Sequence, residues 1–400
     1  MKASARSAVP AFQVMSVLDR VTQLRAQGKD VISLCAGEPS GGAPGAVRDL
    51  AADAHAGRAG LGYTSALGLQ EVRQAIAEHY SRWYHLEVAA EQVAVTTGSS
   101  GAFMLTFLAA FDPGDVVVLA RPGYPAYRNI LTTLGCSVVE VDCGAEVGFQ
   151  PTPELLEETL TAHSDIAGLV IASPANPTGT MIDRERMAAL NNWCRDHDVR
   201  LISDEIYHGI TYPADPGGVD ARGVCAWDLG ETSPSSVVIS SFSKYWGMTG
   251  WRLGWALLPE DLVGAVDALA GNVALCPPAP AQVAALGAFT AEAYGEADER
   301  VASMTSTRQM LLEQVPDLGW GPVAPADGAF YLYAGLGENL AGYASSVDWA
   351  ADLLETAGVA VVPGVDFDGA NGHEYVRLSF AAGDDAVAEA VRRIARFQRR

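Results

Sequence analysis

Apolar residues recur along this chain at two periods, and the change from one to the other marks out its elements. In 69–84 (LQEVRQAIAEHYSRWY), Val72, Ile76, Tyr80 and Trp83 fall three or four residues apart, the spacing of one helix face. Beyond it, short runs rich in Val and Ile alternate with helical stretches. Residues 93–97 (VAVTT) predict a strand and 98–101 (GSSG) a turn. A helix over 102–111 follows, ended by Asp112-Pro113-Gly114, and 116–120 predicts the next strand. Further strands are expected at 169–173 (LVIAS), 200–203 (RLIS) and 237–241 (VVISS), with a helix over 184–195. Near-continuous apolar strands bounded by Gly, Pro and Ser, with helices between them, predict an α/β fold. Its sheet should be mostly parallel and covered on both faces. In such sheets ligand groups gather beyond the carboxyl ends of the strands.

The pattern changes in the last third. A helical run over 279–312 precedes expected strands at 328–333 (GAFYLY), 359–362 and 375–379, and a helix over 385–397 ends the chain. This reads as a smaller α+β domain, with which the first 45 residues are expected to pack. The expected division is therefore 46–284 for the large domain, and 1–45 with 285–400 for the small one.

Composition narrows the function classes. The 400 residues are 49% apolar and 18% charged, which describes a globular chain with a large core. No window approaches the roughly 18 uninterrupted apolar residues of a membrane span. A formal net charge of −22 opposes nucleic acid and anionic membrane surfaces as partners. Residues 1–9 lead into no apolar signal core, so the cytoplasm is expected. The six cysteines lack CxxC or zinc-ligand spacing and read as thiols; a disulfide between Cys136 and Cys143 is the less favoured reading. The seven histidines are dispersed, no metal is expected, and His208 reads as structural.

Four motifs fall at expected strand ends. Gly98-Ser99-Ser100-Gly101 precedes a helix, where backbone N–H groups and small residues can form a phosphate site. Alone it is equally explained as a capped tight turn. Asn176-Pro177-Thr178-Gly179 alone is best read as a β-turn, and Asp204-Glu205-Ile206-Tyr207 alone says little. Ser241-Phe242-Ser243-Lys244, followed by Gly247, Gly250 and Arg252, is more specific. A lysine at a buried strand end loses hydration, which lowers its pKa and makes a nucleophilic amine suited to Schiff-base chemistry. A lysine merely snorkelling to solvent explains neither the flanking serines nor the arginine eight residues on.

Taken together, the motifs resemble a known family. SFSKYWGMTGWRLGW is similar to the cofactor-lysine signature of class I/II aminotransferases, fold-type-I pyridoxal-phosphate enzymes. The similarity runs from Gly37-Glu38-Pro39 to Arg377-Leu378-Ser379. It implies a seven-stranded large-domain sheet, pyridoxal 5′-phosphate as cofactor, and amino-acid and 2-oxo-acid substrates. It also implies Lys244 as the lysine bonded to the cofactor and Asp204 as the partner of the pyridine nitrogen. Tyr207 and Asn176 would donate to the ring 3-oxygen. Arg252, Ser241, Ser243 and the backbone of Ser99, Ser100 and Gly101 would hold the phosphate. Tyr124, in PGYP, matches the residue that stacks on the ring. Arg377 matches the α-carboxylate clamp, although an ion pair with Glu374 would also satisfy its charge. Gly37 matches the backbone group that helps hold the same carboxylate. Tyr63 resembles the tyrosine that reaches the neighbouring subunit's phosphate, which implies a homodimer.

The chain departs from dicarboxylate-specific relatives. No Lys or Arg occurs between Arg252 and Arg300, and Ser100 stands where one subgroup has a lysine. Neutral, apolar or aromatic amino donors are expected over acidic ones. The rival readings are a C–S lyase or cyclopropane-forming synthase on the same scaffold and, more remotely, a cofactor-sensing regulator.

Overall fold

Strands built from consecutive β-branched residues have no polar face to offer water, so they require cover above and below. The computed structural model, which describes residues 1–58, 60–163, 165–230 and 234–400, supplies it. The chain forms β1 (Ile32–Ser33), β2 (Val93–Thr96), β3 (Val116–Arg121), β4 (Ser137–Asp142), β5 (Ile166–Ala172), β6 (Arg200–Asp204), β7 (Val237–Ser241) and β8 (Gly254–Leu257). Then come β9 (Tyr331–Gly335), β10 (Val359–Ala360), β11 (Val362–Pro363) and β12 (Tyr375–Ser379). Strands β2 to β8 make the seven-stranded sheet, in the order β2-β8-β7-β6-β5-β3-β4. A three-stranded antiparallel sheet, β11-β12-β9, stands apart from it, and β1 pairs with β10.

Successive residues of the large sheet feed opposite cores, as the two-residue period of a strand requires. Leu169, Ile171 and Val238 pack with Val72, Ile76, Met187 and Leu190 on one face. Val170, Val237 and Ile239 pack with Phe103, Phe107, Leu262 and Val266 on the other. The helices Gln70–Tyr84 and Arg184–Asp196 thus cover one side, and Gly98–Ala110 and Glu260–Val273 the other.

Several expectations are corrected. The GSSG segment is not a turn before a helix: Gly98 to Gly101 are the first turn of the helix Gly98–Ala110. The run over 279–312 is two helices, Ala279–Ala285 and Ala291–Leu318, parted by a 3₁₀ turn over Leu286–Phe289. Thr290 restarts the helix by accepting from the Ala293 N–H. The strand expected at 328–333 begins only at Tyr331, because the N–H groups of Gly328 and Ala329 are taken by Gly179 and Ile210 across in the large sheet's loops. The strand at 359–362 is two pieces serving different partners, β1 and β12. The six cysteines are free, Cys136 and Cys143 included.

Strand β8 went unanticipated, and it is the antiparallel member of the sheet, pairing with both β2 and β7. Because it runs backwards, its first residue lies at the edge where β2, β5, β6 and β7 end. Gly254 begins it, and a Cβ there would lie 2.7 Å from Ser99 N, 2.8 Å from Gly98 C and 2.9 Å from Ser240 O. All three atoms are backbone, so only movement of helix against sheet makes room. Gly254→Ala is expected to lower the unfolding free energy by about 1–3 kcal/mol, read from urea unfolding; an unshifted midpoint would show that the helix sits less tightly.

Candidate active site

The ends of β2, β5, β6 and β7 and the start of β8 open onto one cavity of ≈ 420 Å³. That volume suits a small ligand. Gly37, Ser99, Ser100, Tyr124, Asn176, Asp204, Tyr207, Ser243, Lys244, Arg252 and Arg377 all stand on its wall. Residues between Ser99 and Arg252 thus meet because the large sheet gathers their strand ends, and Gly37, beyond β1, and Arg377, in β12, join them from outside that sheet. Three expected residues stand off the wall. Ser241, the last residue of β7, is buried behind the wall, with its hydroxyl 2.8 Å from that of Ser243. Gly101 faces Thr96 and Thr97, and Tyr63 is 85% exposed to solvent.

At one end the wall is cationic. The helix Gly98–Ala110 starts here with no side-chain cap and no acidic residue in its first turn, leaving its N-terminal N–H groups for an anion. Arg252, in left-handed backbone at φ 52° just before β8, lays its guanidinium over this turn. A Cβ on Gly98 would sit 2.5 Å from Arg252 Nη2, so only glycine allows that approach. Helix N-terminus, guanidinium and the Ser243 hydroxyl together could cradle an anion such as a phosphate.

Asp204, at the end of β6, is buried in the floor. It accepts from the Tyr127 hydroxyl and, at 3.1 Å, from Ile206 N–H. Burial raises its pKa to about 6, against the opposing pull of the Tyr127 hydrogen bond, the Ile206 N–H and the Lys244 charge. Lys244 lies three residues past β7, half-buried, with Nζ donating to Gly37 O at 2.6 Å. Burial and the charge of Arg377 push its pKa down to about 8, while Asp204 and Glu38 resist. Tyr207 meets the Tyr331 hydroxyl at 2.8 Å.

Arg377, in β12, is buried at the other end. Its Nη1 donates to Asn176 Oδ1 at 2.8 Å and Nη2 to Cys35 O at 3.1 Å, over the faces of Tyr331 and Phe367. Nε has no partner. Glu374 does not pair with it; that carboxylate lies 3.7 Å from His373 instead. Among the described residues no carboxylate neutralises this buried cation, so an anionic ligand is what it lacks.

Sequence reasoning missed Tyr127 and Tyr331, which partner Asp204 and Tyr207. Each is a single tyrosine in an apolar segment, with no local signal. It also missed the helix Gln13–Ala26, whose Phe12, Val14, Met15 and Leu18 line the cavity mouth. His208 lies outside the cavity, its Nδ1 2.6 Å from Tyr84 OH.

The donor set fits pyridoxal phosphate: an anion cradle, a buried carboxylate for the ring nitrogen, a tyrosine beside the ring, and an amine of lowered pKa. Comparison with known proteins agrees. The family model for aminotransferase class I and II matches residues 29–394. The valine–pyruvate aminotransferase of Mycobacterium tuberculosis is 48% identical over 390 residues, covering 97% of this chain and 96% of that protein. The aspartate/prephenate aminotransferase of Thermus thermophilus is 34% identical over 399 residues, covering 99% and 96%. A crystal structure of an aminotransferase from Mycobacterium tuberculosis superposes with a TM-score of 0.94 at 47% identity, covering 100% of this chain and 99% of that one. Sequence, fold and cavity thus converge, and the chain belongs to the class I/II aminotransferases, pyridoxal-phosphate-dependent enzymes that move an amino group from an amino acid to a 2-oxo acid.

Proposed function

We propose that the amino donor is a neutral, apolar L-amino acid such as valine and that pyruvate serves as acceptor. The observation carrying this reading is the charge on the cavity wall. Among the described residues lining it, the cations are Lys244, Arg252 and Arg377, at the amine, phosphate and carboxylate positions. None is left for a side-chain carboxylate. Phe12, Val14, Met15, Leu18 and Ile130 offer apolar surface instead. The relative at 48% identity carries valine and pyruvate in its name, which supports the same pair.

Pyridoxal phosphate, when bound, supplies an aldehyde that condenses with amines and a ring that draws electrons from the amino acid's Cα. The protein's part is positioning and proton transfer. In this reading Arg377 grips the substrate carboxylate with its planar fork, helped by Gly37. Asn176 accepts from Arg377 through Oδ1, because a guanidinium only donates, which leaves Nδ2 to donate beside Tyr207 to the ring oxygen. Asp204 keeps the ring nitrogen protonated, and Tyr124 covers the ring. Ser99, Ser100, Gly101, Ser243 and Arg252 hold the phosphate, with Ser241 bracing Ser243. Lys244 Nζ takes the proton from the substrate's Cα, a role that requires a neutral amine.

We further read the chain as a cytoplasmic homodimer of two-domain subunits, residues 46–284 forming the large domain. The exposure of Tyr63 supports its reaching a second subunit's phosphate site.

Three outcomes test this. Lys244→Ala should lose the absorbance of covalently held cofactor and at least about 1,000-fold in kcat; turnover near wild type would sink the assignment. With cofactor-free enzyme, the rate of pyridoxal phosphate capture should climb about tenfold per unit through pH 6 to 7, as the ammonium is lost, and level off above about 8. A flat profile would mean that burial does not control the amine. In stopped-flow half-reactions, valine and alanine should discharge the cofactor absorbance faster than aspartate; the reverse order would refute the substrate reading.

A further inference from the structure

We infer that Asp366 is a positioning residue for substrate selection: by tying down the N-terminal helix, it holds the apolar wall that favours branched aliphatic side chains. The inference rests on the apolar-donor reading above.

The helix Gln13–Ala26 begins at the cavity mouth with no means of finishing its own N-terminus. Phe12, its cap residue, makes no side-chain cap, and the first turn contains no acidic residue. Asp366, 353 positions away from Gln13 in the chain, does both jobs. Its Oδ1 accepts from Gln13 N at 2.9 Å and its Oδ2 from Val14 N at 3.1 Å, a carboxylate gripping a helix N-terminus with both oxygens.

What this grip holds is part of the substrate cavity. Phe12, Val14 and Met15, at the capped end, and Leu18, one turn on, stand on the wall. The Phe12 ring stacks at 6.5 Å on that of Tyr124. The far half of the helix has its own support, since Val21 and Leu24 pack with Tyr333 and Val362. The first turn is held less firmly: Val14 packs on the same cluster but is only half-buried, Met15 is 54% exposed and Phe12 is half-buried. Helix ends fray where cap and packing are weak. Asp366 therefore adds the hydrogen-bonded hold that this thinly packed turn lacks.

The residue next to it serves the same site. Phe367 packs its ring on the Arg377 guanidinium at 4.9 Å, and its carbonyl accepts from Gly123 N at 2.9 Å, beside Tyr124. One short segment thus sets the apolar wall, the carboxylate clamp and the ring-covering tyrosine in mutual register. Asp366 also stands on the cavity wall, beside Phe367, but its carboxylate is spent on hydrogen bonds to the wall-forming helix. Its loss should weaken contacts with a large aliphatic side chain and spare those with the carboxylate, the amine and the cofactor.

The test is steady-state kinetics of the holoenzyme with alanine and valine as donors, alongside cofactor affinity. In Asp366→Ala, the kcat/KM ratio of valine to alanine should fall about tenfold, the factor a lost cap of ordinary strength corresponds to, and mainly through KM for valine. Asp366→Asn, which keeps one acceptor oxygen, should fall between this variant and wild type, and cofactor affinity should stay at the wild-type value in both. Phe12→Ala, a truncation at the partly exposed mouth, should shift the ratio the same way, so the inference stays testable if Asp366→Ala folds poorly. Equal losses for valine and alanine, or an unchanged ratio in Phe12→Ala, would overturn the inference while leaving the donor reading intact. Wild-type preference for aspartate over valine would sink both.

Discussion

A sheet buried on both faces leaves polar side chains nowhere to go but its ends. The inner strands β5, β6, β7 and β8 are clothed above and below by apolar side chains, so a charge midway along them would have to be desolvated without a partner, whereas the edge strand β4 carries Glu140 paired with Arg128. At the carboxyl ends the helices turn away and their N-termini point inward, and there polar groups are tolerated because they face a cavity rather than a core. Asp204, Asn176 and Lys244 follow three successive parallel neighbours, β6, β5 and β7. The reversed β8 is what completes the set. A seventh parallel strand would have delivered Arg252 to the opposite edge of the sheet, far from the helix turn at Gly98.

Gathering these charges in one partly dry space shifts them toward neutrality. Burial lifts the Asp204 carboxyl to about 6 and draws the Lys244 amine down to about 8, and each carries the other as an opposing influence. The same physics explains the aromatic lining. Tyr127 stabilises the carboxylate by donating to it, and Tyr331 offers its ring face to Arg377 while its hydroxyl meets Tyr207. Both supply electrostatic complement to buried charges without adding charge of their own, which suits a site that must also accept a charged ligand.

Much of this was legible in the chain. Strand 237–241 stands where its Val/Ile-rich run places it, since side-chain burial dictates such a segment, and 375–379 stands where its alternation of Val376 and Leu378 with polar neighbours places it. Most residues that meet on the cavity wall were legible because small residues, a lysine and an arginine occur at fixed local offsets. β8 was not, because Gly254-Trp255-Ala256-Leu257 follows a glycine-punctuated loop and is too short for its period to register. Tyr127, Tyr331 and Asp366 were invisible for another reason: each acquires its role from a partner 77, 124 or 353 positions away. NPTG illustrates the boundary. As local sequence it is a turn, and only the fold sets Asn176 against Arg377, 201 positions on.

The cradle for phosphate and ring nitrogen would serve a lyase on this scaffold equally well, so the cavity floor does not distinguish the reactions; the aminotransferase relatives do. What the floor does explain is how substrate binding and base strength are coupled. Arg377 and Arg252 both depress the Lys244 amine by repelling its proton, and Arg377 does so from a buried position with no carboxylate beside it. A substrate carboxylate seated on Arg377 would cancel that repulsion. Nζ would then regain basicity when the substrate is in place, whereas before it arrives the same repulsion keeps the amine free enough to be nucleophilic. In the reading proposed above, this one guanidinium, flanked by the tyrosine and phenylalanine faces, would serve both as carboxylate clamp and as an influence on the lysine.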